Sequence, residues 1–111
     1  MAVPESLIDD AARRFALLSD PTRLRILAVL LEREPVTVGE LSDELGIATP
    51  NVSQHLARLS AGRLVSREKR GRTVQYRTTD PNLRPLCELM TASLVDESAG
   101  PSGRESGLAT R

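Results

Sequence analysis

The sequence has one cysteine, one histidine, no tryptophan and only two aromatic residues, Phe15 and Tyr76. Cys87 alone cannot close a disulfide within the chain. With so few rings, any core must be built from Leu, Ile, Val and Ala, which suits packed helices better than a β-sandwich. No apolar run approaches the roughly 18 residues that a membrane span requires, and the N-terminus lacks a basic-plus-apolar signal, so a soluble, cytoplasmic protein with no membrane partner is expected. Catalysis needs a positioned nucleophile or acid–base group. One Cys and one His in separate segments, without a Gly-rich phosphate loop or a metal cluster, offer none, and no cofactor is expected.

What the chain does have is an uneven charge. Its 111 residues carry 15 basic and 15 acidic side chains, a formal net charge of zero. Residues 1–48 and 80–111 are both acidic on balance, whereas residues 49–79 hold seven basic side chains against the single acid Glu68. A basic block between acidic ones lets one surface meet phosphates while the others stay soluble. Such a block is also compatible with an ordinary solvated face.

Leu7, Ile8, Ala11, Phe15 and Leu18 recur at helical spacing and predict a first amphipathic helix. Asp20-Pro21 supplies an N-cap and a proline at the start of a second helix, striped by Leu24, Leu27, Leu30 and Leu31 and ended by Pro35. Thr37 and Glu40 have the spacing of a capping box opening a short helix with Val38, Leu41 and Leu45 inward, and Gly46 stands where a left-handed C-terminal residue is wanted. Thr49-Pro50 opens a further helix by the same cap-and-proline logic, with Val52, Leu56 and Leu59 inward and Gly62 closing it. Two short helices joined at Gly46 form a helix-turn-helix candidate.

From Leu64 the period changes to two. Residues Leu64 to Lys69, then Arg70-Gly71-Arg72, then Thr73 to Thr78, predict a hairpin with a basic tip. Asp80-Pro81 then opens a last helix striped by Leu83, Leu86, Cys87, Met90 and Leu94. The expected fold is mainly α with a small β-hairpin, in the order α-α-α-α-β-β-α. It forms one domain over residues 1–95, followed by a disordered tail over 96–111 rich in Gly, Ser, Pro and Ala.

In a helix-turn-helix the second helix enters the major groove, so its outward side must offer hydrogen bonds while its inward side stays apolar. Thr49, Pro50, Asn51, Ser53, Gln54, His55 and Arg58 are the candidate residues there, and Asn and Gln can pair bidentately with adenine. Lys69, Arg70, Gly71, Arg72 and Gln75 are the candidates on the hairpin, where Gly71 permits the sharp turn and basic side chains reach phosphates or a minor groove.

Three runs carry a resemblance: Leu18-Ser19-Asp20-Pro21-Thr22-Arg23-Leu24-Arg25-Ile26-Leu27, Val52-Ser53-Gln54-His55-Leu56, and the stretch from Gly71 to Tyr76. In order and spacing they resemble the ArsR/SmtB-type repressors. The resemblance implies a homodimeric winged helix-turn-helix repressor that binds double-stranded DNA at a palindromic operator, with the first and last helices forming the interface. Leu7, Ile8, Ala11 and Phe15 on one helix and Leu83, Leu86, Cys87, Met90 and Leu94 on the other supply that interface with apolar surface.

Many members of that family release DNA when a metal binds, and those ligands do not carry over. The cysteine-containing motif would fall at Thr37 to Leu41, where there is no thiolate. The last-helix zinc pattern would fall at Asp80, Asn82, Ser93 and Asp96, where both imidazoles are missing. No metal site is expected, and the inducer stays open. Two alternatives also stay open: a winged-helix module that binds an acidic protein, and a DNA-binding redox sensor acting through Cys87.

Overall fold

A computed structural model of the protein describes residues 3–98. A short 3-10 turn, Glu5–Leu7, precedes α1 (Ile8–Leu18), α2 (Pro21–Arg33), β1 (Val36–Thr37), α3 (Val38–Leu45), α4 (Thr49–Ala61), β2 (Val65–Arg70), β3 (Thr73–Thr78) and α5 (Leu83–Ser98). The chain forms two compact units that divide between Asp80 and Pro81. The first unit holds every element up to β3, and the second holds α5. Helix α5 takes in Asp96, Glu97 and Ser98 from the segment 96–111 expected as a tail; the remainder of that segment lies outside the described residues.

The caps explain why the helices begin and end where they do. Asp20 accepts a hydrogen bond from the Arg23 backbone N–H at 3.0 Å, with Pro21 in the first turn of α2. The Thr37 hydroxyl accepts from the Glu40 N–H at 3.1 Å while the Glu40 carboxylate accepts from the Thr37 N–H at 2.9 Å, closing the capping box of α3. Each such contact satisfies a backbone donor that the helix itself leaves free. Gly46 ends α3 in the left-handed region at φ 66°.

The start of α4 differs from expectation. Thr49 is the first residue of α4 and not its cap; the N-cap is Ala48, which makes no side-chain hydrogen bond, and Pro50 lies in the first turn. At the other end Gly62 closes the helix as expected, with an ordinary φ of −84°. The left-handed residue is Arg63, at φ 63°. The Arg63 N–H donates to Ser60 and the Leu64 N–H to Leu59. That pair of bonds is a Schellman motif, with an arginine where glycine is commonest.

The sheet has three strands in the order β1-β3-β2, all antiparallel, and not the two of a simple hairpin. The added strand β1 pairs Val36 with Tyr76 and Thr37 with Gln75. Two residues are too short to show a period. Glu34, just past α2, accepts a hydrogen bond from the Thr78 hydroxyl at 2.7 Å and so ties that helix to β3.

The core consists of Ile26, Leu27 and Leu30 of α2, Val36, Leu41, Val52, Leu56, Leu59, Leu64 and Val65, with Tyr76 as its single ring. Ile26 takes the buried place expected for Leu24, which is exposed. Burying an aliphatic side chain of this size contributes about 1.5–3 kcal/mol. Val52, Leu56 and Leu59 together therefore fix the rotation of α4 about its axis, which decides the residues on its outer face.

Candidate nucleic-acid interface

With Val52, Leu56 and Leu59 fully buried, the opposite side of α4 is left to Thr49, Pro50, Asn51, Ser53, Gln54 and Arg58, all exposed. Six of the seven candidates on this helix thus share solvent access. His55 is half-buried, and the guanidinium of Arg23 in α2 donates to its Nδ1 at 3.4 Å. Arg23 is in turn held by Leu17, whose carbonyl accepts from Nε at 2.8 Å. Sequence spacing gives no hint of this pairing, since 32 residues separate the partners.

The hairpin turns through Gly71, at φ 64°, and Arg72. A glycine with positive φ at the first central position matches the right-handed twist of the flanking strands. Lys69, Arg70, Gly71 and Arg72 are exposed around this tip. Gln75 is not at the tip: it is half-buried in the central strand, opposite Glu68 on β2 and Thr37 on β1. Two basic residues outside the candidate set join the wing surface, Arg67, exposed on β2, and Arg77, half-buried on β3.

Glu68, the one acid of the basic stretch, sits among these arginines. Its Oε1 lies 3.6 Å from Arg77 Nε and 3.7 Å from Arg70 Nη2. That oxygen is buried and makes no hydrogen bond. Residues 49–79 thus set seven basic side chains against one partly exposed acid that is paired with two of them.

Helices α1 and α5 show a different surface. Leu7, Ile8 and Phe15 are exposed on α1 and the 3-10 turn before it, Phe15 by 61%. Ala11 is half-buried, and no residue of α1 is buried. On α5, Met90 and Leu94 are exposed and Leu86 and Cys87 half-buried. Leu83 is already buried within the single chain, so it has no apolar surface to offer a partner; Leu89 and Val95 are exposed in its stead. An amphipathic helix whose apolar side meets water is an unusual feature of a monomer.

Two of the places where the resemblance would put metal ligands are occupied by other contacts. The Thr37 hydroxyl and Glu40 carboxylate are the two halves of a helix cap, and Asp80 pairs with Arg14 at 3.4 Å. Among the described residues no group of three or more His, Cys, Asp or Glu could hold a metal ion. Among them, too, no helix is long and apolar enough to cross a membrane.

A helix-turn-helix followed by a basic antiparallel hairpin defines a winged helix-turn-helix protein. Comparison with known proteins places the class more narrowly. A family model described as a helix-turn-helix domain matches residues 18–68. The transcriptional regulator KmtR of Mycobacterium tuberculosis is 38% identical over 102 residues, covering 88% of this chain and 76% of that protein. A probable mercury resistance operon repressor of Streptomyces lividans is 36% identical over 97 residues, covering 87% and 77%. The solution structure of a homodimeric winged helix-turn-helix DNA-binding domain from Mycobacterium bovis, a possible ArsR-family regulator, superposes with a TM-score of 0.76 at 22% identity, covering 97% of this chain and 100% of that one. The chain belongs to the ArsR/SmtB family of winged helix-turn-helix transcriptional regulators. It is a regulator and not an enzyme.

Proposed function

We propose that the protein is a cytoplasmic, homodimeric repressor that reads a palindromic operator with α4 and grips the flanking phosphates with the wing. The observation that carries this reading is the division of α4, with Val52, Leu56 and Leu59 at 0% exposure on one side and Asn51, Ser53, Gln54 and Arg58 exposed on the other. Base readout requires such a polar face, whereas a protein-docking helix would carry apolar anchors there. Lys69, Arg70 and Arg72 supply phosphate contacts that are independent of base sequence. The exposed apolar side chains of α1 and α5 supply surface for a two-fold partner, and a two-fold dimer reads two half-sites about one helical turn apart.

Selection of bound fragments from a pool of randomised duplexes tests this reading. Enrichment of an inverted repeat, bound by two copies of the chain, is the expected result. Recovery of unrelated sequences with no shared half-site would remove the operator, and a monomer in sedimentation would remove the dimer.

A further inference from the structure

Arg23 belongs to none of the surfaces described for DNA contact, yet it is the residue that touches His55. It is half-buried at the start of α2 and fastened at two other points. Its backbone N–H donates to the Asp20 carboxylate at 3.0 Å, and its Nε–H donates to the Leu17 carbonyl at 2.8 Å. What remains is Nη1, aimed at His55 Nδ1 at 3.4 Å. A guanidinium has donors and no acceptor, so Nδ1 must accept and the imidazole proton must sit on Nε2. The other ring nitrogen decides which group a histidine presents.

Nε2 has no hydrogen-bond partner among the described residues and is not among the buried unpaired atoms. Asn51 and Arg58, one turn to either side of His55 on α4, are both exposed. Residues so spaced share a helix face. The Nε2–H therefore adds a donor to the polar side of α4. Asp20 supports the arrangement, its carboxyl held below the usual range chiefly by the Arg23 backbone N–H and, to a lesser degree, by the charge of Arg23.

We propose that Arg23 is a positioning residue for DNA binding: it holds His55 in the Nε2–H tautomer so that α4 presents that N–H to a phosphate oxygen. This inference rests on α4 being the DNA-facing helix. Its structural half, the tautomer, can be read without DNA.

Because His55 is the sole histidine of the sequence, nitrogen-15 NMR of its imidazole in the full chain, recorded above the titration range of imidazole, reports one ring without assignment. The expected spectrum is that of the Nε2–H tautomer for the wild type and for Arg23→Lys, which keeps a donor, and a mixture of tautomers for Arg23→Leu. A wild-type Nδ1–H tautomer, or no change in Arg23→Leu, overturns the inference.

Binding is then measured on a duplex recovered from a randomised pool. His55→Ala is expected to weaken binding roughly tenfold or more, the loss of one hydrogen bond to a charged group. Arg23→Leu is expected to weaken it by a smaller or equal factor, and the double variant no further than His55→Ala alone. The salt slope stays unchanged, since a neutral imidazole displaces no counterion. A slope shallower by about 0.9 in Arg23→Leu would mean that Arg23 itself meets a phosphate, and fully additive losses would mean that the two act separately; either overturns the proposal. Failure of the wild-type chain to bind any duplex would sink the DNA reading while leaving the tautomer result standing.

Discussion

Leu17 occupies the place that a side chain on Gly62 would need: a Cβ there would come within 2.1 Å of Leu17 Cδ1. Gly62 therefore serves the close approach of α1 to the end of α4, and the left-handed turn falls to Arg63 one residue later. A side chain in that conformation costs about 1–2 kcal/mol relative to glycine. Arg63→Gly is accordingly expected to stabilise the fold by about 1 kcal/mol. Gly62→Ala is expected to destabilise it by about 1 kcal/mol, the lower end of the cost of overpacking because the atom met is the tip of a rotatable Leu. Urea unfolding of both variants checks the pair, and a destabilised Arg63→Gly would refute the assignment.

Glu68 shares its carboxylate between Arg70 and Arg77 on the wing. Arg70 is 68% exposed, so the ion pair adds little stability. Its effect falls on the charge the wing offers to phosphates. Glu68→Gln is expected to tighten binding to mixed-sequence duplex by up to about fivefold at low salt, from the ~1 kcal/mol that one exposed charge exerts at this range. The gain should shrink as salt rises. Equal or weaker binding by the variant would show that the carboxylate orients the arginines more than it offsets them.

The capping box that opens α3 makes a stability prediction with a pH signature. Thr37→Ala removes the acceptor for the Glu40 N–H and should cost about 1 kcal/mol, seen as a fall in Tm of roughly 4–8 °C. The Glu40 carboxyl is held below its ordinary range, first by the Thr37 backbone N–H. A depressed carboxylate contributes stability that is complete above its unfolded value, about 4.3, and is lost as pH falls through the folded value. Glu40→Gln keeps an acceptor oxygen and has no charge to lose. The Tm gap between wild type and Glu40→Gln should therefore be open at neutral pH and close as pH drops below about 4; a gap that stays constant would rule out the linkage.

Much of this architecture is legible in the chain because local chemistry and tertiary packing agree. Asp20, the Thr37–Glu40 pair and Gly46 act at helix ends through contacts three or four residues long, and such contacts are visible as spacing. The buried side of α4 follows from Val52, Leu56 and Leu59. What spacing could not reveal depends on residues far apart in the chain. Strand β1 exists because Val36 meets Tyr76. Ile26 is buried and Leu24 exposed because the surroundings of α2 choose between two apolar positions that a helical period does not separate. Gly62 closes α4 as its spacing implied, but the left-handed turn at Arg63 and the contact with Leu17 were not visible there. At the interface, the exposed candidates of α4 and the wing tip were legible as polar side chains on a patterned element. The tie from Arg23 to His55, the place of Gln75 in the central strand and the pairing of Glu68 arise only on folding.

The division of labour between α4 and the wing can be separated by two measurements on one duplex. Phosphate contacts carry no sequence information and release counterions, whereas base contacts discriminate and release none. Arg70 and Arg72 are exposed at the hairpin tip, and Gln54 is exposed on α4. Changing both arginines to Ala should weaken operator and random duplex by the same factor and make the salt slope shallower by about 1.8, two contacts at about 0.9 each. Gln54→Ala should leave the slope intact and lose about 1–3 kcal/mol of discrimination between the operator and a duplex altered at one base pair. An unchanged slope in the double variant would remove the arginines from the phosphates. An equal loss on random duplex would show that Gln54 does not read a base. Were both outcomes found together, the wing would be an ordinary solvated hairpin, and the polar side of α4 would meet DNA only through its backbone.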